Sequence, residues 1–127
     1  MRDEILRVMD NVHEAKEAIA INDMLGLTAA SEYRELLDEL EKLVSEYIMF
    51  FTKKNKYILL KNCPSLKIGE LSVNKKGFGF VILKQEDDIY VDAKNLNGAV
   101  DEDIVLCEVI NNGIKKEGKV VRVLKRD

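Results

Sequence analysis

Lys76-Gly77-Phe78-Gly79-Phe80-Val81-Ile82-Leu83-Lys84 is the stretch on which the reading of this chain turns. Side chains alternate across a β-strand. One face then carries Gly77, Gly79, Val81 and Leu83, and the other carries Phe78, Phe80, Ile82 and Lys84. Further on, Ile89 and Val91 share one face, and Tyr90 and Asp92 the opposite one. If the aliphatic faces point into a core, Phe78, Phe80 and Tyr90 form one exposed aromatic platform. The glycines then thin the inner layer beside the phenylalanines. A second reading satisfies the same pattern: the phenylalanines are core and the glycines mark bulges. Pattern alone leaves both open.

Working outward, the segment around this stretch is all β in pattern. Strands are predicted at Lys67–Val73, Gly77–Leu83, Asp88–Asp92, Ile104–Ile110 and Gly118–Lys125. Turn signals separate them at Asn74-Lys75, Gln85-Glu86-Asp87, Asn95 to Asp103 and Asn111-Asn112-Gly113. Five short strands with no long helix point to a small closed barrel, of which the oligonucleotide-binding (OB) fold is the commonest five-stranded form.

Towards the amino terminus the hydrophobic period changes to that of helices. Ile5, Leu6 and Met9 share a face in Asp3–Met9. Ala18–Leu25 is a second short helix, ended near Gly26. Tyr33, Leu36, Leu37, Leu40, Leu43 and Val44 form a stripe along Ser31–Val44, with Thr28 or Ser31 as its cap. Tyr47–Thr52 and Tyr57–Leu60 read as strands joined by Lys53-Lys54-Asn55-Lys56, where Asn55 can take a positive φ. Three helices and a basic hairpin outline a winged helix-turn-helix. The boundary falls at Asn62–Ser65, which holds the single proline, Pro64. The expectation is an α+β chain: a winged helix-turn-helix domain over 1–62, then an OB-fold, cold-shock-like barrel over 66–127.

Net charge is −3, which hides a segregation. Residues 1–50 carry 12 acids and 5 bases, net −7; residues 51–84 carry 8 lysines and one acid, net +7. Residues 85–127 carry 10 acids and 7 bases, net −3. Local field decides what a surface attracts. Aromatic rings beside lysines suit single-stranded nucleic acid: unpaired bases stack at about 1–3 kcal/mol each, and lysines meet phosphates. Lys75, Lys76 and Lys84 fit that role beside the platform, and Lys53, Lys54 and Lys56 fit it on the wing. Every base has a π face, so sequence preference is expected to be weak.

Other chemistry is poorly provided for. Cys63, Cys107 and the single histidine, His13, fit no zinc spacing. Two lone cysteines suit a reducing cytosol, and the expected location is cytoplasmic. No apolar run approaches the roughly 20 residues of a membrane span. Glu86-Asp87-Asp88 and Asp101-Glu102-Asp103 read as charged loops rather than cation sites. No catalytic set is evident.

Lys76–Val81 followed by Asp88–Val91 resembles the two ribonucleoprotein motifs of cold-shock domains. Across essentially all 127 residues the chain resembles the amino-terminal region of the ribonuclease R family. The pieces that carry this are Thr52–Tyr57, Lys76–Val81, Asp88–Val91, Leu96-Asn97-Gly98-Ala99 and Glu117-Gly118-Lys119-Val120-Val121. The resemblance implies a winged helix before a first cold-shock domain. It also implies base stacking by Phe78, Phe80 and Tyr90, and a parent 3′→5′ exoribonuclease. That enzyme's Mg²⁺-dependent catalytic domain would lie outside this chain, which needs no cofactor itself. Two departures stand out. Asp92 replaces a histidine of free-standing cold-shock proteins. Val100-Asp101-Glu102-Asp103 keeps only the aspartate of a Met-x-Gly-Asp turn.

The leading expectation is a module that grips single-stranded or locally unfolded RNA. One alternative is a winged-helix DNA-binding regulator. Glu32, Glu35, Asp38, Glu39, Glu41 and Glu46 against Arg34 and Lys42 speak against a duplex there. The other is a non-catalytic protein-interaction or autoinhibitory module that uses the acidic helix Ser31–Val44.

Overall fold

A computed structural model describes residues Met1–Arg126. Contacts divide the chain into two units, Met1–Cys63 and Pro64 onward.

In the first unit the helical stripes find one another. Helices α1 (Arg2–Met9), α2 (Ala18–Leu25) and α3 (Ala30–Ser45) precede the hairpin of β1 (Met49–Phe51) and β2 (Tyr57–Leu59). Ile5, Met9, Ile21, Leu36, Leu40, Leu43, Met49 and Leu59 form the buried core. Tyr33 and Val44, on the flanks of the α3 stripe, are half-buried against it.

The expected cap of α3 is corrected. Ala29 takes that place, and its N–H donates to Glu32 Oε1 at 3.1 Å. The glutamate three residues into the helix satisfies the free backbone donor, as one half of a capping box does, so no hydroxyl is needed. Ser31 lies inside the helix.

The wing strands are shorter than expected. Tyr47 takes φ 60° directly after α3, and Leu60–Asn62 winds into a 3₁₀ turn. Asn55 has φ 63° at the wing tip. Thr52 Oγ1 accepts from the N–H groups of Lys54 and Lys56 at 3.3 and 3.1 Å, so the basic turn is held by its own first residue.

The second unit is a closed five-stranded barrel. Its strands are β3 (Leu66–Val73), β4 (Gly79–Ile82), β5 (Ile89–Val91), β6 (Ile104–Asn112) and β7 (Lys116–Lys125). They run in the order β3-β4-β5-β7-β6, with β6 returning to β3. Only β5 and β7 pair in parallel. Together the two units make an α+β chain: a winged helix-turn-helix followed by an OB-type barrel. Leu71, Val81, Ile89, Val91, Ala99, Val105, Cys107 and Val120 fill the barrel.

Strand boundaries shift where the backbone demands it. Gly77 takes φ 93°, so the β3–β4 turn runs on and β4 begins at Gly79. Asn111 and Asn112, expected in a loop, belong to β6. Glu102 sits at φ 72°, where the resembled turn carries glycine. Among the described residues no helix is long and apolar enough to cross a membrane.

Candidate nucleic-acid interface

The aliphatic faces of β4 and β5 do point inwards. Val81, Ile89 and Val91 are fully buried, and Phe80 and Tyr90 pair directly on the outer side. Phe78 lies just before β4 and is aimed by the preceding turn. Its carbonyl accepts from Asn74 N–H at 2.9 Å, while Asn74 Oδ1 accepts from Lys76 N–H at 2.9 Å. Gly79 is buried between the two phenylalanines. A Cβ there would lie 2.9 Å from the Ser72 carbonyl oxygen. Glycine therefore lets β4 press against β3 beneath the rings.

The three rings form a triangle. Centroids lie 5.3 Å apart for Phe78–Tyr90, 5.8 Å for Phe80–Tyr90 and 6.0 Å for Phe78–Phe80. Interplanar angles of 48–75° make these edge-to-face and tilted contacts, which favour the aromatic quadrupole. Each residue is half-buried. The placement of Phe78 and Phe80 as barrel core therefore fails: they flank the core on its outside.

The lysines expected beside the platform are all exposed and unpaired among the described residues. Lys75 and Lys76 are exposed on the β3–β4 turn, and Lys84 is exposed just past β4. None of the three is in an ion pair among the described residues. Lys67 and Lys116 instead grip Glu86, at 2.9 and 3.4 Å. The hydrogen bond from Lys67, then that from Lys116, holds the Glu86 carboxyl below the usual carboxylate range. Lys61 is paired with Asp10 in the first unit. The basic surplus of residues 51–84 is thus partly neutralised.

Lys53, Lys54 and Lys56 sit on the wing of the first unit, the first two exposed and the third half-buried. Near them Phe51 and Tyr57 make a tilted ring contact with centroids 4.8 Å apart. On α3, Glu35, Asp38 and Glu41 are exposed, whereas Arg2 holds Glu39 and Glu46 at 3.0 and 2.6 Å.

Sequence reasoning missed two neighbours of the platform. The Lys115 ammonium stands 4.0 Å from the Tyr90 ring centroid, a cation–π contact. Glu117 is the parallel partner of Tyr90. Only barrel closure brings β7 beside β5, and no local pattern signals it. The departure at Asp92 has a structural use. Its Oδ1 accepts from Ala93 N–H at 2.8 Å and opens the 3₁₀ turn Ala93–Asn95.

The acidic loops are internally employed. Asp101 Oδ1 accepts from Val73 N–H at 2.8 Å, and Asp88 Oδ1 from Leu83 N–H at 3.2 Å. Asp103 is fully buried; its Oδ2 accepts from Val100 N–H at 2.9 Å and faces Arg126 at 3.4 Å. These carboxylates fasten turns, and among the described residues they assemble no group of three that could hold a metal ion.

Residues 69–123 match the family model of the ribonuclease B OB domain. Ribonuclease R 1 of Lactococcus lactis subsp. lactis is 28 % identical over 138 residues, a match that takes in the whole of this chain. The chain resembles the amino-terminal region of the ribonuclease R family. Ribonuclease R of Chlamydia muridarum is 43 % identical over 82 residues, or 58 % of this chain. The chain spans only 17 % and 12 % of the length of these two ribonuclease R proteins. Among solved structures, Mycoplasma genitalium RNase R in complex with ribose-methylated single-stranded RNA is 32 % identical. It has a TM-score of 0.43 and covers 47 % of this chain and 10 % of that one.

Proposed function

We propose that this chain is an RNA-gripping module, the substrate-binding amino-terminal part of a ribonuclease R-like 3′→5′ exoribonuclease. The observation that carries the reading is the outward triangle of Phe78, Phe80 and Tyr90 on a barrel similar to the ribonuclease B OB domain. Unpaired bases stack on these rings. Lys75, Lys76 and Lys84 meet the phosphates along the platform, and Lys53, Lys54 and Lys56 add contacts from the wing. RNA enters as a single strand or a locally unfolded segment, because a paired base offers no free face to a ring.

Hydrolysis, in this reading, belongs to another part of a longer protein, together with its Mg²⁺. Asp88 and Asp101 are committed to turns and Glu86 to its lysine pair, and no hydrolytic step is assigned to the carboxylates. The chain's own work is to hold the strand.

The test is fluorescence anisotropy with a labelled single-stranded oligoribonucleotide. Phe78→Ala with Tyr90→Ala is expected to weaken binding well over tenfold, from about 1–3 kcal/mol per lost stack. Affinity is expected to fall with salt, by a slope near 0.7 per phosphate contact. Unchanged affinity in the double variant contradicts the stacking role. Tight binding to duplex DNA that survives loss of residues 66–127 would favour the regulator reading instead.

A further inference from the structure

On β7, Gly118 and Val120 are buried inside the barrel, which turns Glu117 outwards. In the β5–β7 ladder Glu117 lies opposite Tyr90 and Gly118 opposite Val91. Laterally paired residues share a face, and adjacent strands are about 4.8 Å apart. Glu117 therefore borders the aromatic platform at its Tyr90 edge, on the side where Lys115 stands over the ring. Among the acids of the barrel, Glu86 is held by Lys67 and Lys116, Glu108 by Lys119 and Asp92 by its own turn. Among the described residues Glu117 has neither an ion pair nor a side-chain hydrogen bond. A half-buried carboxylate without a partner beside a stacking surface is poorly placed for a phosphate, which it repels. It is well placed for the edge of a base.

We infer that Glu117 selects the base stacked on Tyr90, favouring bases that carry an exocyclic amino group and disfavouring uracil. The inference rests on the stacking role proposed above. An ionised carboxylate only accepts hydrogen bonds. Cytosine and adenine each offer it an amino donor, and guanine offers two adjacent N–H groups that match two carboxylate oxygens. Uracil offers one N–H between two carbonyl oxygens, which the carboxylate repels. Lys115, which covers the Tyr90 ring in the free protein, gives up that face to the base and turns to the strand's phosphate, while Glu117 reads the base. The weak sequence preference expected from π faces alone is thereby revised at one position of the bound strand.

The experiment uses the whole chain and nine-nucleotide oligoribonucleotides of cytidine, adenosine or uridine, followed by anisotropy. A guanosine placed singly in the uridine strand is the fourth probe. The unaltered protein is expected to bind the cytidine strand about five- to tenfold more tightly than the uridine strand. The single guanosine is expected to recover much of that gap. Glu117→Ala removes an exposed-edge acid and leaves the core intact. It is expected to close the gap, in part by raising uridine affinity as the repulsion disappears. Glu117→Gln, which both donates and accepts, is expected to narrow the gap as well. Equal binding of cytidine and uridine strands by the unaltered protein overturns the inference, as does a preference that survives Glu117→Ala. In either case Phe78→Ala with Tyr90→Ala still reports separately on stacking. If no strand binds at all, both the selection and the stacking role fall.

Discussion

The wing and the barrel face are built from the same materials and are put together differently. Each is a β-hairpin with exposed lysines at its turn and aromatic residues on its strands. On the wing, Phe51 meets Tyr57 in a tilted ring contact, and Tyr57 packs against the helical core. Burial, with a smaller contribution from Glu41, pushes the Tyr57 phenol above its ordinary value. That leaves Phe51 as the exposed partner. On the barrel, three rings stand together over a floor of Val81, Ile89 and Val91. Under the proposed function the wing offers charge to a polyanion, and the three rings over a buried aliphatic floor offer faces to bases. The comparison teaches that composition of a hairpin does not tell which contact it makes. The destination of each ring does.

The largest effect expected from this contrast concerns the rings. Phe80→Ala removes the β4 ring that pairs with Tyr90 and is expected to weaken single-stranded RNA about tenfold. Phe51→Ala on the wing is expected to change affinity less than twofold. Anisotropy titrations of the two variants side by side check this, and equal losses would erase the distinction. A smaller effect belongs to the charges. Replacing Lys53, Lys54 and Lys56 by glutamine is expected to reduce the salt slope by up to about 2, with base preference unchanged. An unchanged slope would assign those lysines to protecting the hairpin edge alone.

The smallest effect is on stability and touches only the barrel. The Glu86 carboxyl is lowered from 4.5 by Lys67 and Lys116. A lowered folded-state value gives stability that is whole above the ordinary carboxylate range and is lost as pH falls through the lowered value. Glu86→Gln is therefore expected to lower the urea midpoint slightly at pH 7, and the deficit is expected to shrink as pH falls below the ordinary carboxylate range. A difference that does not shrink on acidification would mean that Glu86 acts through packing rather than charge.

Much of the fold was legible because local patterns are strong in this chain. The strand period at Ile89–Val91 follows from aliphatic alternation, and the α3 stripe follows from leucines one turn apart. Parity put Phe80 and Tyr90 on the faces opposite the aliphatic residues, but that those faces point outwards came only from the fold. What could not be read depends on closure or on competing hydrogen bonds. Lys115 and Glu117 reach Tyr90 only because β5 and β7 pair in parallel across a long interval of sequence. Lys67 counted as a free cation until the fold delivered Glu86 to it. The α3 cap went to a backbone–glutamate bond at Ala29 rather than to a hydroxyl, because Glu32 could reach back. Asp92 stands where free-standing cold-shock proteins carry a histidine. Its carboxylate is engaged by Ala93 N–H, and that engagement gives a physical reason for an acid at this position.

The central claim is that bases stack on Phe78, Phe80 and Tyr90. Nuclear magnetic resonance of the chain, with its aromatic side chains isotopically labelled, addresses it directly. On titration with a single-stranded oligoribonucleotide, the ring protons of these three residues are predicted to shift upfield together. Those of Phe51 and Tyr57 should move little. Shifts confined to the wing or to α3, with the barrel rings unmoved at saturation, would contradict the account.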